Sequence, residues 1–239
     1  MTTNFQPKLA MRFFAKVAPF AFLSFVAACG SDSPTTCCSE GQTGLRVVNA
    51  FTSPVDVLID GSVVVSGLAA GSVGMAAATS GDHTLLLRPT GSTASVSQSI
   101  TTTTGSLNTI AALRAQSGSL STTVLDDTNS VVPAGATKVR VLHFAPSAGT
   151  LQVFRTQPDY QTPIAWQFPF TYQATPNSLS APFYQSTAGT WEVRIWQTPA
   201  DASGWANAPV KVVIPLLSGE KRTILILDDV GGGVRTQVL

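Results

Sequence analysis

Charge is scarce in this chain. Lys and Arg together number 14 and Asp and Glu 13 among 239 residues, so charged side chains make up 11% of the whole. Lys8, Arg12 and Lys16 all precede the first acidic residue, Asp32, which leaves the rest of the chain slightly acidic. A nucleic-acid surface needs clustered positive charge, and no such cluster occurs. Histidine and cysteine are equally thin: His83, His143, Cys29, Cys37 and Cys38 are the full set. A zinc site would need more ligands than these, since each histidine lies inside a strand-like run. No Gly-x-Ser-x-Gly elbow is present, and neither histidine has a nearby partner except Asp82 beside His83, where strand alternation sends neighbours to opposite faces. These absences lead to the expectation of a chain that is not an enzyme, with no metal, no cofactor and no nucleic-acid partner.

A membrane-spanning apolar run is missing as well. The longest candidate, Val17-Ala18-Pro19-Phe20-Ala21-Phe22-Leu23-Ser24-Phe25-Val26, is too short to span a bilayer and follows the positive residues Lys8, Arg12 and Lys16. It reads as the h-region of a signal peptide, with the start at Met1 or at Met11. Directly after it, Val26-Ala27-Ala28-Cys29-Gly30 resembles the lipobox of bacterial lipoproteins. That resemblance implies cleavage after Ala28 and lipid attachment at Cys29, which anchors the chain to a membrane through several acyl chains. Gly30-Ser31 lacks an immediate acidic residue, which favours the outer membrane or cell surface over inner-membrane retention. Residues 29–44 then form a small, polar, flexible tether, in which the adjacent Cys37 and Cys38 could pair as a vicinal disulfide or cross-link to a neighbour, with incidental thiols the favoured reading.

What is abundant is apolar and small. Hydrophobic residues reach 44%, and Ser, Thr, Gly, Val and Ala dominate, a composition suited to exported β-rich proteins. The chain also repeats itself. Leu45-Arg46-Val47-Val48-Asn49-Ala50 corresponds to Val139-Arg140-Val141-Leu142-His143-Phe144, and Val55-Asp56-Val57-Leu58-Ile59 to Leu151-Gln152-Val153-Phe154-Arg155. Gly81-Asp82-His83-Thr84-Leu85-Leu86-Leu87 corresponds to Gly189-Thr190-Trp191-Glu192-Val193-Arg194-Ile195, and the Thr109-Ile110 pair to Thr223-Ile224. In that register Leu125 falls on Leu239. Each copy offers about seven short strands between Gly, Pro, Ser and Asp turns, as in an antiparallel sandwich of roughly 90 to 100 residues. The expected fold is therefore all-β: two tandem immunoglobulin-like antiparallel β-sandwiches, residues 45–126 and 138–239, joined by a linker over 127–137 and preceded by the signal peptide of residues 1–28 and the tether.

The residues Val47-Val48-Asn49-Ala50, Val55-Asp56-Val57-Leu58-Ile59-Asp60-Gly61, the Gly81 turn with its strand, and Leu125-Asp126-Asp127 leading into Val139-Arg140-Val141-Leu142-His143-Phe144-Ala145-Pro146 resemble the domain of unknown function 4397 family. That family occurs in bacterial envelope proteins, often in tandem. The resemblance implies a fold and brings no catalytic residues.

Pairwise matching sets expectations for single residues. His143 falls on Asn49 and His83 on Trp191, so each histidine is expected to be structural. Asp126-Asp127 and Asp228-Asp229 do not fall on each other, which argues against a repeated calcium site and leaves solvated turn carboxylates. Copy two carries about a dozen extra residues between Phe154 and Trp191, rich in aromatics and proline. Tyr160, Trp166 and Tyr172 in that insert, with Trp205 in the later loop Asp201-Ala202-Ser203-Gly204-Trp205, are the candidate ligand contacts. The plain alternative is that such residues fill the second core or seal the joint between sandwiches. The function expected is a membrane-anchored, non-catalytic binding or adhesion module meeting a glycan or an envelope protein. A structural envelope component is the alternative, and an exported hydrolase a minor one.

Overall fold

The computed structural model describes residues 42–127, 131–159, 161–170, 172, 183–197, 208, 210–229 and 232–239. Sixteen strands build the described fold, eight in each half. The first half comprises β1 (Gln42–Ala50), β2 (Val55–Ile59), β3 (Ser62–Leu68), β4 (Val73–Thr79), β5 (Gly81–Pro89), β6 (Val96–Thr102), β7 (Leu107–Arg114) and β8 (Leu120–Asp126). The second comprises β9 (Ala136–Phe144), β10 (Leu151–Gln157), β11 (Gln161–Phe170), β12 (Tyr184–Thr187), β13 (Gly189–Gln197), β14 (Val210–Leu216), β15 (Lys221–Asp228) and β16 (Val234–Val238). Among the described residues no helix is long and apolar enough to cross a membrane.

Four four-stranded sheets result, with orders β3-β2-β5-β6, β4-β1-β7-β8, β12-β9-β15-β16 and β11-β10-β13-β14. The first two enclose a core centred on Val47, Val57, Leu85, Leu87 and Ile110, and the last two enclose one centred on Val141, Val153, Val193, Ile195 and Ile224. Each half is thus a β-sandwich. Among the described strands all pairs are antiparallel except β1 with β7 and β9 with β15, which run parallel. The two parallel pairs share one register: Arg46 lies opposite Thr109 in the first, and Arg140 opposite Thr223 in the second. The last strands correspond too, since Thr109 pairs with Leu125 and Thr223 exchanges backbone hydrogen bonds with Leu239.

A third core lies between the sandwiches. Val48, Ala111, Leu113 and Leu125 from β1, β7 and β8 pack with Leu142, Phe144, Leu225 and Leu227 from β9 and β15. Strand alternation explains the arrangement: Val47 and Ile110 point into the first sandwich while Val48 and Ala111 point out of it, toward the seam. The two middle sheets are consequently covered on both faces. That is why β1, β7, β9 and β15 read as near-continuous apolar runs, and why parallel pairs, which favour double burial, occur there and nowhere else among the described strands. Each buried Val, Leu, Ile or Phe of the seam contributes about 1.5–3 kcal/mol relative to exposure, so separating the sandwiches is costly.

Among the described residues β1 takes in residues 42–44, which the sequence reading places in the tether. Thr43 Oγ1 donates to the Thr103 carbonyl at 2.7 Å and Gly44 N to the Ser106 carbonyl at 2.9 Å, which bind this segment into the sheet. Asp60 and Gly61, with φ of 49° and 81°, make the tight two-residue turn between β2 and β3 that the Asp-Gly dipeptide favours.

Candidate functional site

The seam holds the densest cluster of charged groups among the described residues. Arg46 and Arg140 leave the seam faces of β1 and β9 beside Val48 and Leu142, and Asp127 leaves the end of β8 between them. Its Oδ2 accepts from Arg46 Nη2 at 2.6 Å and from Thr109 Oγ1 at 2.5 Å, and its Oδ1 accepts from Arg140 Nη2 at 2.5 Å. Arg46 Nε donates to Thr109 Oγ1 at 3.0 Å, and Lys221 Nζ donates to the Asp127 carbonyl at 3.0 Å. One carboxylate therefore bridges corresponding arginines of the two sandwiches.

The bridge is dry. The Arg140 and Asp127 side chains are 2% and 5% exposed, against 17% for Arg46. The Arg140 guanidinium also lies 4.5 Å from the centre of the Phe183 ring, a cation–π contact. Burial pulls the Arg140 guanidinium below its ordinary pKa, and the charge and hydrogen bond of Asp127 oppose that shift. Charge-assisted bonds to a fixed fork geometry make the joint directional as well as adhesive.

Asp127 is thus not the solvated turn carboxylate that the sequence suggests. The reason is alternation: Asp127 continues the face of Leu125, which is the seam, while Asp126 continues the face of Val124 and is exposed at the strand end. Asp228 and Asp229 do lie at a turn, where Asp228 Oδ1 accepts from Ser147 N at 3.4 Å and Asp229 N bonds the Gly233 carbonyl at 3.0 Å.

Both histidines hold backbone. Asn49 Nδ2 donates to the carbonyls of Ser53 and Leu68 at 2.9 and 2.7 Å, while its Oδ1 accepts from Phe51 N at 2.9 Å. His143 does the same work at the end of β9: its Nδ1 accepts from Ala145 N at 3.3 Å and its Nε2 lies 2.8 Å from the Gly149 carbonyl. Those two partners assign the proton to Nε2 and keep the ring neutral. Burial, the largest cause, pulls the His143 pKa below 6.5.

His83 has the opposite environment. Its Nδ1 is 2.7 Å from Asp60 Oδ2 and its Nε2 is 2.9 Å from the Thr79 carbonyl, so both ring nitrogens face acceptors and the imidazolium fits best. The Asp60 hydrogen bond raises the His83 pKa above 6.5 and lowers that of Asp60. With the far nitrogen held by a carbonyl, His83 has no lone pair aimed at a hydroxyl, which a general base for a serine would need.

Of the candidate contacts, Tyr172 is half-buried: its hydroxyl donates to the Arg114 carbonyl at the end of β7 and its ring meets His143 edge-on, centroids 6.2 Å apart at 84°. Its bond to Arg114 links the second half to the first. Trp166 is placed on β11, and its side chain is outside the described residues. Tyr160, Trp205, Cys29, Cys37 and Cys38 lie outside the described residues as well. Among those described, no three or more His, Cys, Asp or Glu side chains converge as metal ligands would.

The arginine bridge escaped residue-level reading, although a signal existed: a basic residue at the same place in two otherwise apolar strands. Comparison with known families adds to this. The match is to a domain of unknown function (DUF4397), over residues 43–154. Over that stretch the chain is similar to the DUF4397 family. The DUF4397 stretch runs from β1 into β10, so it takes in the first sandwich together with the first strand of each sheet of the second, β9 and most of β10. Arg46, Thr109, Asp127 and Arg140 all fall inside it, which makes the bridge a feature of the DUF4397 stretch rather than of one sandwich alone. No curated protein matches the chain.

Proposed function

We propose that the chain is a non-catalytic cell-envelope lipoprotein, anchored through Cys29, whose two sandwiches form one rigid body for binding a glycan or envelope protein outside the membrane. The observation that carries this reading is the Asp127 bridge with the shared seam core: two sandwiches locked in one orientation suit presentation of a fixed surface better than they suit reach. The Val17–Val26 apolar run followed by Ala27-Ala28-Cys29-Gly30 supports the anchor. Residues 30–41 between Cys29 and β1 can span at most about 40 Å, so the body would stay close to the membrane surface.

Labelled palmitate fed to expressing cells tests the anchor. The expected result is incorporation into the wild type and fractionation with membranes, with both lost in Cys29→Ala. Label and membrane association retained in Cys29→Ala would overturn the reading.

A further inference from the structure

The two sandwiches differ at one end, where the sheets of each part. In the first, Ile59 at the end of β2 and Ala78 on β4 close this end with apolar side chains, both buried. Ile59 pairs with Leu85 and Ala78 with Thr43. The matching register positions of the second sandwich carry Arg155, which pairs with Val193, and Ser186, which pairs with Thr137. The fold does not require a cation here, since isoleucine serves in the other copy.

Around Arg155 lies a cleft of about 420 Å³, lined by Pro133, Ala134, Gly135, Ala136, Arg155, Gln185, Ser186 and Thr187. That volume is in the range of small-ligand sites. The guanidinium is held in place: its centre lies 4.3 Å from that of the Trp191 ring and its Nη1 donates to Ser186 Oγ. Trp191 is itself fixed by donating from Nε1 to the Thr187 carbonyl at 3.0 Å. The stack spans from the β10–β13 sheet to β12 of the facing sheet, across the mouth of the sandwich.

We propose that this cleft binds a carboxylated sugar, with Arg155 as the carboxylate contact. One cation lines the cleft, which matches one carboxylate; a phosphate dianion favours two or more. Gln185, Ser186 and Thr187 supply amide and hydroxyl groups for ring hydroxyls. Pro133, Ala134 and Ala136 supply an apolar wall for the C–H face of the ring. A guanidinium already stacked and hydrogen-bonded loses little freedom on binding, which favours affinity. The inference rests on reading the body as a binding module, and it fails separately from the anchor, because lipid labelling at Cys29 does not depend on the cleft.

The test is calorimetric titration of the full chain in detergent with D-glucuronate, D-glucose and inorganic phosphate. Saturable glucuronate binding is expected, with glucose and phosphate at least about tenfold weaker, and with Arg155→Gln weakened about tenfold. Thr187 is exposed, so Thr187→Glu should keep the melting temperature while its carboxylate abolishes glucuronate binding; it carries the test if Arg155→Gln melts early. No saturable glucuronate binding, glucose bound equally well, phosphate bound more tightly, or Thr187→Glu binding as the wild type does would each overturn the proposal.

Discussion

Replacing Asp127 with alanine removes the one carboxylate on which Arg46 and Arg140 converge. Arg140 suffers most, because at 2% exposure it cannot turn to water and, among the described residues, keeps the Thr223 hydroxyl at 3.3 Å and the Phe183 ring as close partners. Breaking a buried pair by deleting one member costs about 3–5 kcal/mol. For a folded body of this size a kilocalorie corresponds to about 2–4 °C, so the melting temperature should fall by roughly 6–20 °C. Arg46→Ala should cost less, since Arg46 is 17% exposed and water replaces part of what it loses. Arg140→Met in the Asp127→Leu background should recover most of the loss, because a packed apolar pair stands in for a buried ion pair without strong penalty. The measurement is urea unfolding followed by tryptophan fluorescence and by far-ultraviolet circular dichroism. Asp127→Ala within about 1 kcal/mol of the wild type would refute the bridge as the joint of the two sandwiches.

Two further outcomes follow from the geometry. His143, held neutral, contributes stability that is full above 6.5 and is lost as the pH falls below it, whereas the raised His83 contributes stability that is full below 6.5 and is lost as the pH rises through its folded value. His143→Asn, which installs the residue found at the matching place in β1, should flatten the acid limb of a stability–pH curve and leave the alkaline limb unchanged. Gly71→Ala should destabilise by about 1–2 kcal/mol in thermal unfolding, because its φ of +73° strains any residue with a Cβ, while the Arg235 guanidinium beside it can swing aside.

The equivalence of the closing strands was legible in the sequence because repetition constrains it: a Leu125–Leu239 match implies that β8 and β16 close equivalent sheets, and their pairing agrees, whereas the parallel pairs β1–β7 and β9–β15 were not foreseen. His143 was legible for the same reason, through Asn49. The seam was not, because a run such as Val47-Val48 looks the same whether one or both faces are buried. Asp127 was misread for a physical cause: whether a carboxylate after a strand meets water or two guanidiniums is decided by Arg46, 81 residues away, and by which face the neighbouring sandwich covers. The Arg155 cleft is visible only once the copies are compared in register, since a lone arginine at a strand end otherwise suggests a solvated side chain.

Mass spectrometry of the N-terminus of the protein purified from membranes tests the central claim most directly. The account predicts a mature chain that begins at Cys29 and carries a thioether-linked diacylglyceryl group. A chain that begins at any other residue, or at an unmodified Cys29, would contradict it.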